Sequence, residues 1–416
     1  MSAPPSAEPA RVSRALSIDL LRGLDVLLML FVNEVAGVAG TPSFLLHVPA
    51  DADGMTLTDV VFPAFLFIVG MAIPFSLGGR LRRGDARADV WRHVLTRTGV
   101  LLVMGVLMVN AEMAVRGGAL VSHLWNVLMT VGVLLVWNAP EREGGGPWRA
   151  RLRIVGIVWL VALALAYRSS EVSGLIQLRP HWWGILGLIG WAYLVAASLY
   201  LLAGERTAVL LGFIPLLYCL YLADEAGHVG WLGAIRPVVN VGRALGSHAA
   251  VALSGTVLGV MLIRHQRDGG PGRRLAWQSL GYGAGLATAG VWLHALHELH
   301  PAFRISKMLA TAPWCLLSSA LTCFAWVGLF VLVDLRGWRR WPKAMSIAGE
   351  NPLVAYFMAP FLLSLFALTA PLFGGTNPYE ALGASTWIGL VRSALFAWIV
   401  VRLCGWFRSH GIRLQL

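Results

Sequence analysis

The sequence predicts an all-α membrane protein, a bundle of about ten to twelve transmembrane helices with both termini in the cytoplasm. Hydrophobic residues make up 57% of the 416 residues and charged residues only 13%, whereas soluble proteins carry about 25% charged residues. The mean hydropathy of +0.69 excludes an ordinary soluble enzyme. It also excludes intrinsic disorder, which requires low hydrophobicity and high charge.

Twelve apolar segments follow one another along the chain, and a membrane-spanning helix needs about 20 such residues. They lie near residues 16–39, 58–79, 96–113, 119–138, 153–168, 183–203, 207–222, 249–263, 276–297, 311–334, 345–369 and 386–405. The fifth, seventh and eighth are short, and two of them could be re-entrant or tilted. We expect one transmembrane domain over 16–405, after a disordered cytoplasmic N-terminus at 1–15 and before a cytoplasmic tail at 406–416.

Basic residues set the predicted orientation, because Lys and Arg are enriched in cytoplasmic loops. With the N-terminus in the cytoplasm, all the basic clusters fall on that side: Arg80, Arg82, Arg83 and Arg87; Arg149, Arg151 and Arg153; Arg273 and Arg274; Arg336, Arg339, Arg340 and Lys343. The formal net charge of +12 is therefore attributed to topology. No nucleic-acid partner is expected, although basic surfaces can bind phosphate backbones.

Charged side chains inside a predicted span are candidates for function, because a charge at the bilayer centre costs at least about 2.5–3.5 kcal/mol. The first span carries Asp19 and Arg22, three residues apart on one helix face, where they can pair. Such a pair either joins helices or lines a water-filled cavity, and the sequence leaves both open. Asn33 and Glu34 lie near the outer end of the same span.

A histidine and a carboxylate flank the loop after this span. His47 precedes the acidic turn Asp51–Gly54, and Asp59 falls in the first turn of the second span. A carboxylate at a helix N-terminus can serve as a cap alone. However, His47, Asn33 and Asp59 all approach the same outer end of two consecutive helices. They are therefore candidates for a proton-transfer group.

Two later segments carry unusual polarity. Lys307 precedes the tenth span, and Asn351 lies inside the eleventh. Pro352 follows Asn351 directly and should break the helix, which is tolerated within a membrane where the backbone lines a cavity. We take Lys307 and Asn351 as candidate substrate-binding residues.

Histidines near the predicted outer face could also bind a metal. His294 and His297 are spaced to share one helix face, but a third ligand would have to come from elsewhere, with Glu298 and His300 as the candidates. Amphipathic residues facing the membrane interface are the favoured interpretation, so no metal is expected.

Several of these segments resemble a known family, the heparan-α-glucosaminide N-acetyltransferases and their bacterial homologues within the wider group of transmembrane acyltransferases. The resemblance rests on SIDLLRGLDVLLMLFVNEVAG, the loop histidine and DGMTLTDVVFPAFLFIVG, and more loosely on ISKMLATAPW and AGENPLVAY. One difference stands out. The stretch from His47 to Gly54 is two residues longer than the family's H-x-x-W-N-G pattern and lacks its Trp.

The resemblance implies transfer of an acetyl group from cytoplasmic acetyl-CoA to an amino sugar or other glycan on the outer face of a bacterial inner membrane. It implies that His47 is catalytic and that Asn33 and Asp59 occupy matching family positions. His47 could act as a general base or carry the acetyl group itself, while Asp59 fixes its tautomer and Asn33 stabilises an oxyanion.

The acetyl-CoA site is expected at the cytoplasmic end, where an ion pair and basic side chains could accept the CoA phosphates. The candidates are Asp19, Arg22, Arg82 and Arg83. Two other functions stay open: a secondary transporter of a small anion or sugar, to which buried charges and broken helices are also suited, and a non-catalytic membrane component of envelope assembly. The expected partners are membrane lipid, acetyl-CoA and the acceptor. The sequence leaves open whether the protein forms a homodimer.

Overall fold

The computed structural model describes residues 15–113, 115–138, 147–169, 174–338 and 343–414. The N-terminal segment predicted to be disordered lies, apart from residue 15, outside the described residues. Arg339 and Arg340 of the last basic cluster also lie outside them.

Within the described residues the protein is helical, with two isolated β-bridges and no β-strand. The helices are α1 (Leu16–Val35), α2 (Leu57–Arg82), α3 (Arg87–Glu112), α4 (Ala119–Trp137), α5 (Pro147–Ala166), α6 (Gly184–Ala203), α7 (Thr207–Glu225), α8 (His248–Asp268), α9 (Gly272–His294), α10 (Ala312–Leu329), α11 (Lys343–Glu350), α12 (Pro352–Leu368), α13 (Pro378–Ala381) and α14 (Thr386–Ser409). The π-helical segments Val241–Ser247 and Phe330–Leu335 extend α8 and α10.

Each of the twelve predicted apolar segments coincides with a helix, and the eleventh is divided into α11 and α12. In the described part of the chain, 8 helical stretches are long and apolar enough to cross a membrane, and α12 is a shorter apolar helix. The prediction of an all-α, multi-pass membrane helix bundle is therefore confirmed.

Glycines let α2 and α8 approach backbone to backbone. A Cβ atom on Gly70 would lie 1.8 Å from the carbonyl oxygen of Ala252, and one on Gly255 would lie 1.8 Å from that of Phe67. Thr256 donates a hydrogen bond to the Gly70 carbonyl at 3.1 Å. Small residues and hydroxyls at such contacts hold membrane helices together, because lipid offers no hydrophobic gain on association. This packing fixes α2, whose first turn carries Asp59.

The break predicted at Pro352 is present, because α11 ends at Glu350 and α12 begins at Pro352. Proline lacks the N–H that would continue the helical hydrogen bonds. Asn351 at the break is buried, and neither polar atom of its side chain has a hydrogen-bond partner among the described residues. The preceding α11 packs closely on α1, since a Cβ atom on Gly349 would lie 2.0 Å from the Asp19 carbonyl oxygen.

Two ends of the bundle can be distinguished by their loops. At one end, here called the His47 end, the loop 36–56 meets the loop 295–311 through a hydrogen bond from Gly54 N to Ile305 O of 2.9 Å. At the other, here called the arginine end, α2, α6 and α8 finish near one another, because Arg82 and Arg267 both pair with Glu205.

Candidate active site

Asp59 holds the start of α2 and the loop before it at the same time. Its Oδ2 atom accepts the backbone N–H of Thr56 at 3.1 Å, which caps the helix, and that of Val48 at 3.2 Å. The Thr56 hydroxyl donates to the Leu46 carbonyl at 2.6 Å. The capping role expected for this carboxylate is therefore present, and it uses one oxygen only.

The second oxygen of Asp59 orients His47. The distance from His47 Nδ1 to Asp59 Oδ1 is 2.7 Å. An ionised carboxylate can only accept hydrogen bonds, so Nδ1–H donates and the lone pair of the neutral ring lies on Nε2. Asp59 is 2% exposed and the His47 side chain 45% exposed, so the carboxylate is fixed by the fold while the imidazole is open to a substrate.

Lys307 reaches the same imidazole from the loop 295–311. Its Nζ atom lies 3.1 Å from both Nδ1 and Nε2 of His47. An atom equidistant from both ring nitrogens lies against the face of the ring rather than along either lone pair. Burial lowers the pKa of the Lys307 amine, and the negative charge of Asp59 opposes that shift. The structure thus brings Lys307 into contact with the predicted histidine.

A narrow cavity of about 60 Å³ opens beside these groups. His47, Asn33, Lys307 and Tyr356 supply its polar side chains together with Thr58, and the other walls are mostly aliphatic and aromatic. Because one water needs about 10–15 Å³, the cavity has room for a group of only a few heavy atoms. Asn33 therefore lines the same cavity as His47, as its position in the sequence predicted.

A much larger cavity of about 900 Å³, here called the vestibule, adjoins the narrow one and shares Lys307, Phe62 and Ile185 with it. Its polar and aromatic wall comes from the loops before α6 and before α8 and from the adjoining ends of α7 and the π-helical segment. It includes His181, Trp182, Trp183, Asp224, Arg236, Asn240 and Arg243. The vestibule thus combines flat aromatic rings with charged hydrogen-bonding groups.

The vestibule wall is braced by hydrogen bonds. Arg236 pairs with Asp224, which also accepts the backbone N–H of Gly242 at 2.8 Å. The Trp183 indole N–H donates to the Val238 carbonyl at 2.5 Å. These contacts join the loop before α6 to the loop before α8.

Backbone strain is concentrated at the vestibule. Among the described residues, the non-glycine residues with positive φ are His181, Trp183 and Ala310, and all three line it. Such conformations are costly for bulky residues and cluster at functional sites. Apart from Lys307, the sequence assigned no binding role to the vestibule residues, and they come from separate parts of the chain.

The residues expected to bind acetyl-CoA lie at two different helix–helix contacts. Arg22 pairs with Asp19 at 3.1 Å, on the part of α1 that packs against α11. Arg82 pairs with Glu205 at 3.0 Å, where α2, α6 and α8 end, and Arg83 caps the exposed end of α2. Asn351 directly precedes Pro352, and Pro352 lines the narrow cavity.

Comparison with known proteins supports the family resemblance. The family described as "Domain of unknown function (DUF5009)" matches residues 14–232, just over half of the chain. The chain is 33% identical over 174 residues to heparan-alpha-glucosaminide N-acetyltransferase of Homo sapiens, covering 38% of this chain and 25% of that protein.

The corresponding protein of Mus musculus is 31% identical over 106 residues, which cover 26% of this chain and 15% of that protein. The chain thus matches a quarter or less of the length of these relatives. Together, the family match over half the chain, the identities and the apolar helices identify a multi-pass, acetyltransferase-like membrane protein. The chain belongs to the DUF5009 family and is similar to the heparan-alpha-glucosaminide N-acetyltransferases.

Proposed function

We propose that this protein transfers an acetyl group from acetyl-CoA to an amino sugar or other glycan on the outer face of a bacterial inner membrane. The observation that carries the proposal is the hydrogen bond between Asp59 and His47, with Lys307 in contact with the same imidazole and lining both the narrow cavity and the vestibule. The narrow cavity suits a small acyl group, and the vestibule suits a bulkier polar acceptor.

In this reaction His47 acts as the general base. Its Nε2 atom takes a proton from the acceptor amine or hydroxyl as that atom forms a bond to the acetyl carbonyl carbon. The carbon–sulfur bond of the thioester then breaks, and the imidazolium returns the proton to the CoA thiolate. Asp59 keeps the ring in the tautomer that leaves Nε2 unprotonated and stabilises the imidazolium between the two proton transfers.

Two side chains are placed to stabilise the negative charge that develops on the thioester oxygen. Asn33 and Lys307 line the narrow cavity with His47, and preorganised donors of this kind contribute about 10²–10³-fold in turnover. The Asn33 side chain makes no hydrogen bond to another described residue, so its amide N–H is available for the oxygen. Lys307 also faces the vestibule, where it can contact the acceptor.

The acetyl-CoA donor is proposed to enter from the arginine end, which the positive-inside rule places in the cytoplasm. Arg82 and Arg83 are exposed there and can contact CoA phosphates, while Asp19 and Arg22 border the entry on α1. Asn351, with both side-chain polar atoms unsatisfied among the described residues, is proposed to contact the substrate within the bundle.

The vestibule favours acetyl transfer over the transport alternative. A transporter holds its substrate near the membrane midplane between broken helices, whereas here the vestibule lies at the His47 end, between loops and the adjoining helix ends.

The proposal is tested by supplying radiolabelled acetyl-CoA to membranes containing the protein, with a panel of amino sugars and glycans. Labelled product should form with the unaltered chain and with His228→Ala, an exposed loop histidine, but not with His47→Ala. No labelled product with any acceptor in the panel, or full transfer by His47→Ala, would contradict the proposal.

A further inference from the structure

We propose that Asp53, His294 and His297 bind a divalent transition-metal ion, Zn²⁺ in the first instance, at the outer edge of the His47 end. One ligand atom from each residue lies within 4.8 Å of the other two. The site would clamp the C-terminal end of α9 to the loop that carries His47. It lies outside the groups assigned to acetyl transfer and does not depend on that function.

The two histidines are already arranged side by side. Their rings are stacked with centroids 5.0 Å apart and an interplanar angle of 25°. His297 Nδ1 lies 3.0 Å from the His294 carbonyl oxygen, so Nδ1–H donates there and Nε2 keeps its lone pair outward. Metal-binding histidines usually donate the second ring N–H to a carbonyl or carboxylate in this way, which fixes the tautomer.

The carboxylate comes from a distant part of the chain. Asp53 Oδ1 lies 3.7 Å from His294 Nδ1, and neither Glu298 nor His300, which the sequence offered as possible third ligands, belongs to the cluster. Asp53 falls within the stretch that is two residues longer than the family pattern. The third ligand missing from the sequence interpretation is thus supplied by the loop between His47 and Gly54.

The donor set selects the class of ion. Two imidazole nitrogens and one carboxylate oxygen suit Zn²⁺, Cu²⁺ or Ni²⁺, whereas Mg²⁺ and Ca²⁺ prefer oxygen ligands alone. Zinc–ligand distances are about 2.0–2.2 Å, so modest rotations of these partly exposed side chains would close the cluster around an ion. Water would complete the coordination.

An ion here would restrain both loops of the candidate active site. Asp53 Oδ1 also accepts the backbone N–H of Ile305 at 2.8 Å, and Gly54 N donates to Ile305 O at 2.9 Å. Ile305 lies two residues before Lys307, and Asp53 lies six residues after His47. A metal bound to Asp53 would therefore limit the motion of His47 and Lys307 relative to each other.

The test is a zinc titration of the purified full-length protein after chelator treatment, followed by calorimetry with Mg²⁺ present in excess. We expect one zinc ion per chain, and at least about tenfold weaker binding in His297→Ala and in Asp53→Asn. The asparagine keeps an oxygen that can accept the Ile305 N–H. His300→Ala is the matched control and should bind zinc normally, because His300 lies outside the cluster and its Nδ1 accepts a hydrogen bond from the Ala302 N–H at 3.1 Å.

Thermal unfolding provides a second measurement that does not depend on enzymatic activity. Zinc should raise the unfolding midpoint of the unaltered protein and of His300→Ala, because a ligand that binds only the folded state stabilises it. At the same zinc concentration it should raise the midpoint of His297→Ala less, while that variant without zinc unfolds at the midpoint of the metal-free parent. Equal zinc affinity in a His294→Ala/His297→Ala double variant, or no binding to the unaltered chain, would overturn the proposal.

Discussion

The two ends of the bundle both carry polar side chains, but they hold them in different ways. At the His47 end, Asp59 is 2% exposed and binds two backbone N–H groups and His47 at once. At the arginine end, Arg82 and Glu205 form a pair whose side chains are 35% and 24% exposed. Buried hydrogen bonds fix a geometry, whereas exposed ion pairs are screened by salt and contribute about 0–1 kcal/mol. Substitutions should therefore have larger effects at the His47 end.

The largest effect is expected for His47→Ala, which removes the proposed base. Acetyl transfer should fall by about 10²–10⁴-fold, while the thermal unfolding midpoint should hardly change, because the side chain is half exposed and leaves no core cavity. Turnover and unfolding would be measured on the same purified protein. A variant that retains near-normal turnover would shift the assignment to another outward histidine.

Asp59→Ala should reduce both activity and stability, and this separates it from His47→Ala. It leaves the partly buried N–H groups of Val48 and Thr56 without their acceptor, and each lost hydrogen bond contributes about 0.5–1.5 kcal/mol to stability. Asp59→Asn should recover part of the stability, because an amide oxygen can still accept a hydrogen bond. If Asp59→Ala unfolded at the same midpoint as the parent protein, the capping role would be wrong.

Lys307 should set the alkaline limb of the pH–rate profile. Burial lowers the pKa of its amine, so the ammonium loses its proton at a lower pH than an ordinary lysine. The positive donor is then lost as pH rises through that value, and activity should decline there. In Lys307→Arg the limb should move to higher pH, because arginine stays protonated. If the alkaline limb lay at the same pH in Lys307→Arg, it would have to arise from the titration of another group.

The lowered pKa of Lys307 also affects stability, but in the opposite direction: activity should fall as pH rises, whereas stability should increase. A lysine whose pKa is lower in the folded state binds fewer protons there than in the unfolded chain. Stability should therefore rise as pH increases through the folded pKa towards the ordinary lysine value. Lys307→Met should remove this rise, as measured by unfolding midpoints across the alkaline range.

Local sequence features predicted more of the fold than of the site. The long apolar helices are predicted by apolar segments whose length matches the bilayer, and Pro352 predicts the break between α11 and α12. His47 and Asp59 are only 12 residues apart. Asp59 falls at the predicted start of a helix and His47 in the loop directly before it, so the sequence alone places them near each other. Lys307 was singled out as a substrate-binding candidate, but its contact with His47 spans 260 residues.

The vestibule and the proposed metal site could not be found in this way. Trp183 and Arg236 come from loops and Asp224 from the last turn of α7. They share a cavity because α7 ends where α6 and the extended α8 begin. Asp53 became a partner of His294 through the packing of two loops. Side chains that meet only through tertiary structure leave no periodicity or fixed spacing in one sequence.

The smallest effects are expected at the arginine end. Replacing Arg82 and Arg83 together with Ala should weaken CoA binding a few-fold at low salt, and the difference should shrink at high salt because the contacts are exposed and screened. Stability should hardly change, since Arg267 still pairs with Glu205. Arg92→Ala, which breaks the exposed pair with Asp89 at the start of α3, is the matched control and should leave CoA affinity unaltered. If the double variant and the control bound CoA equally well at low salt, Arg82 and Arg83 would not belong to the donor site. Asp19 and Arg22 on α1 would then be the remaining candidates.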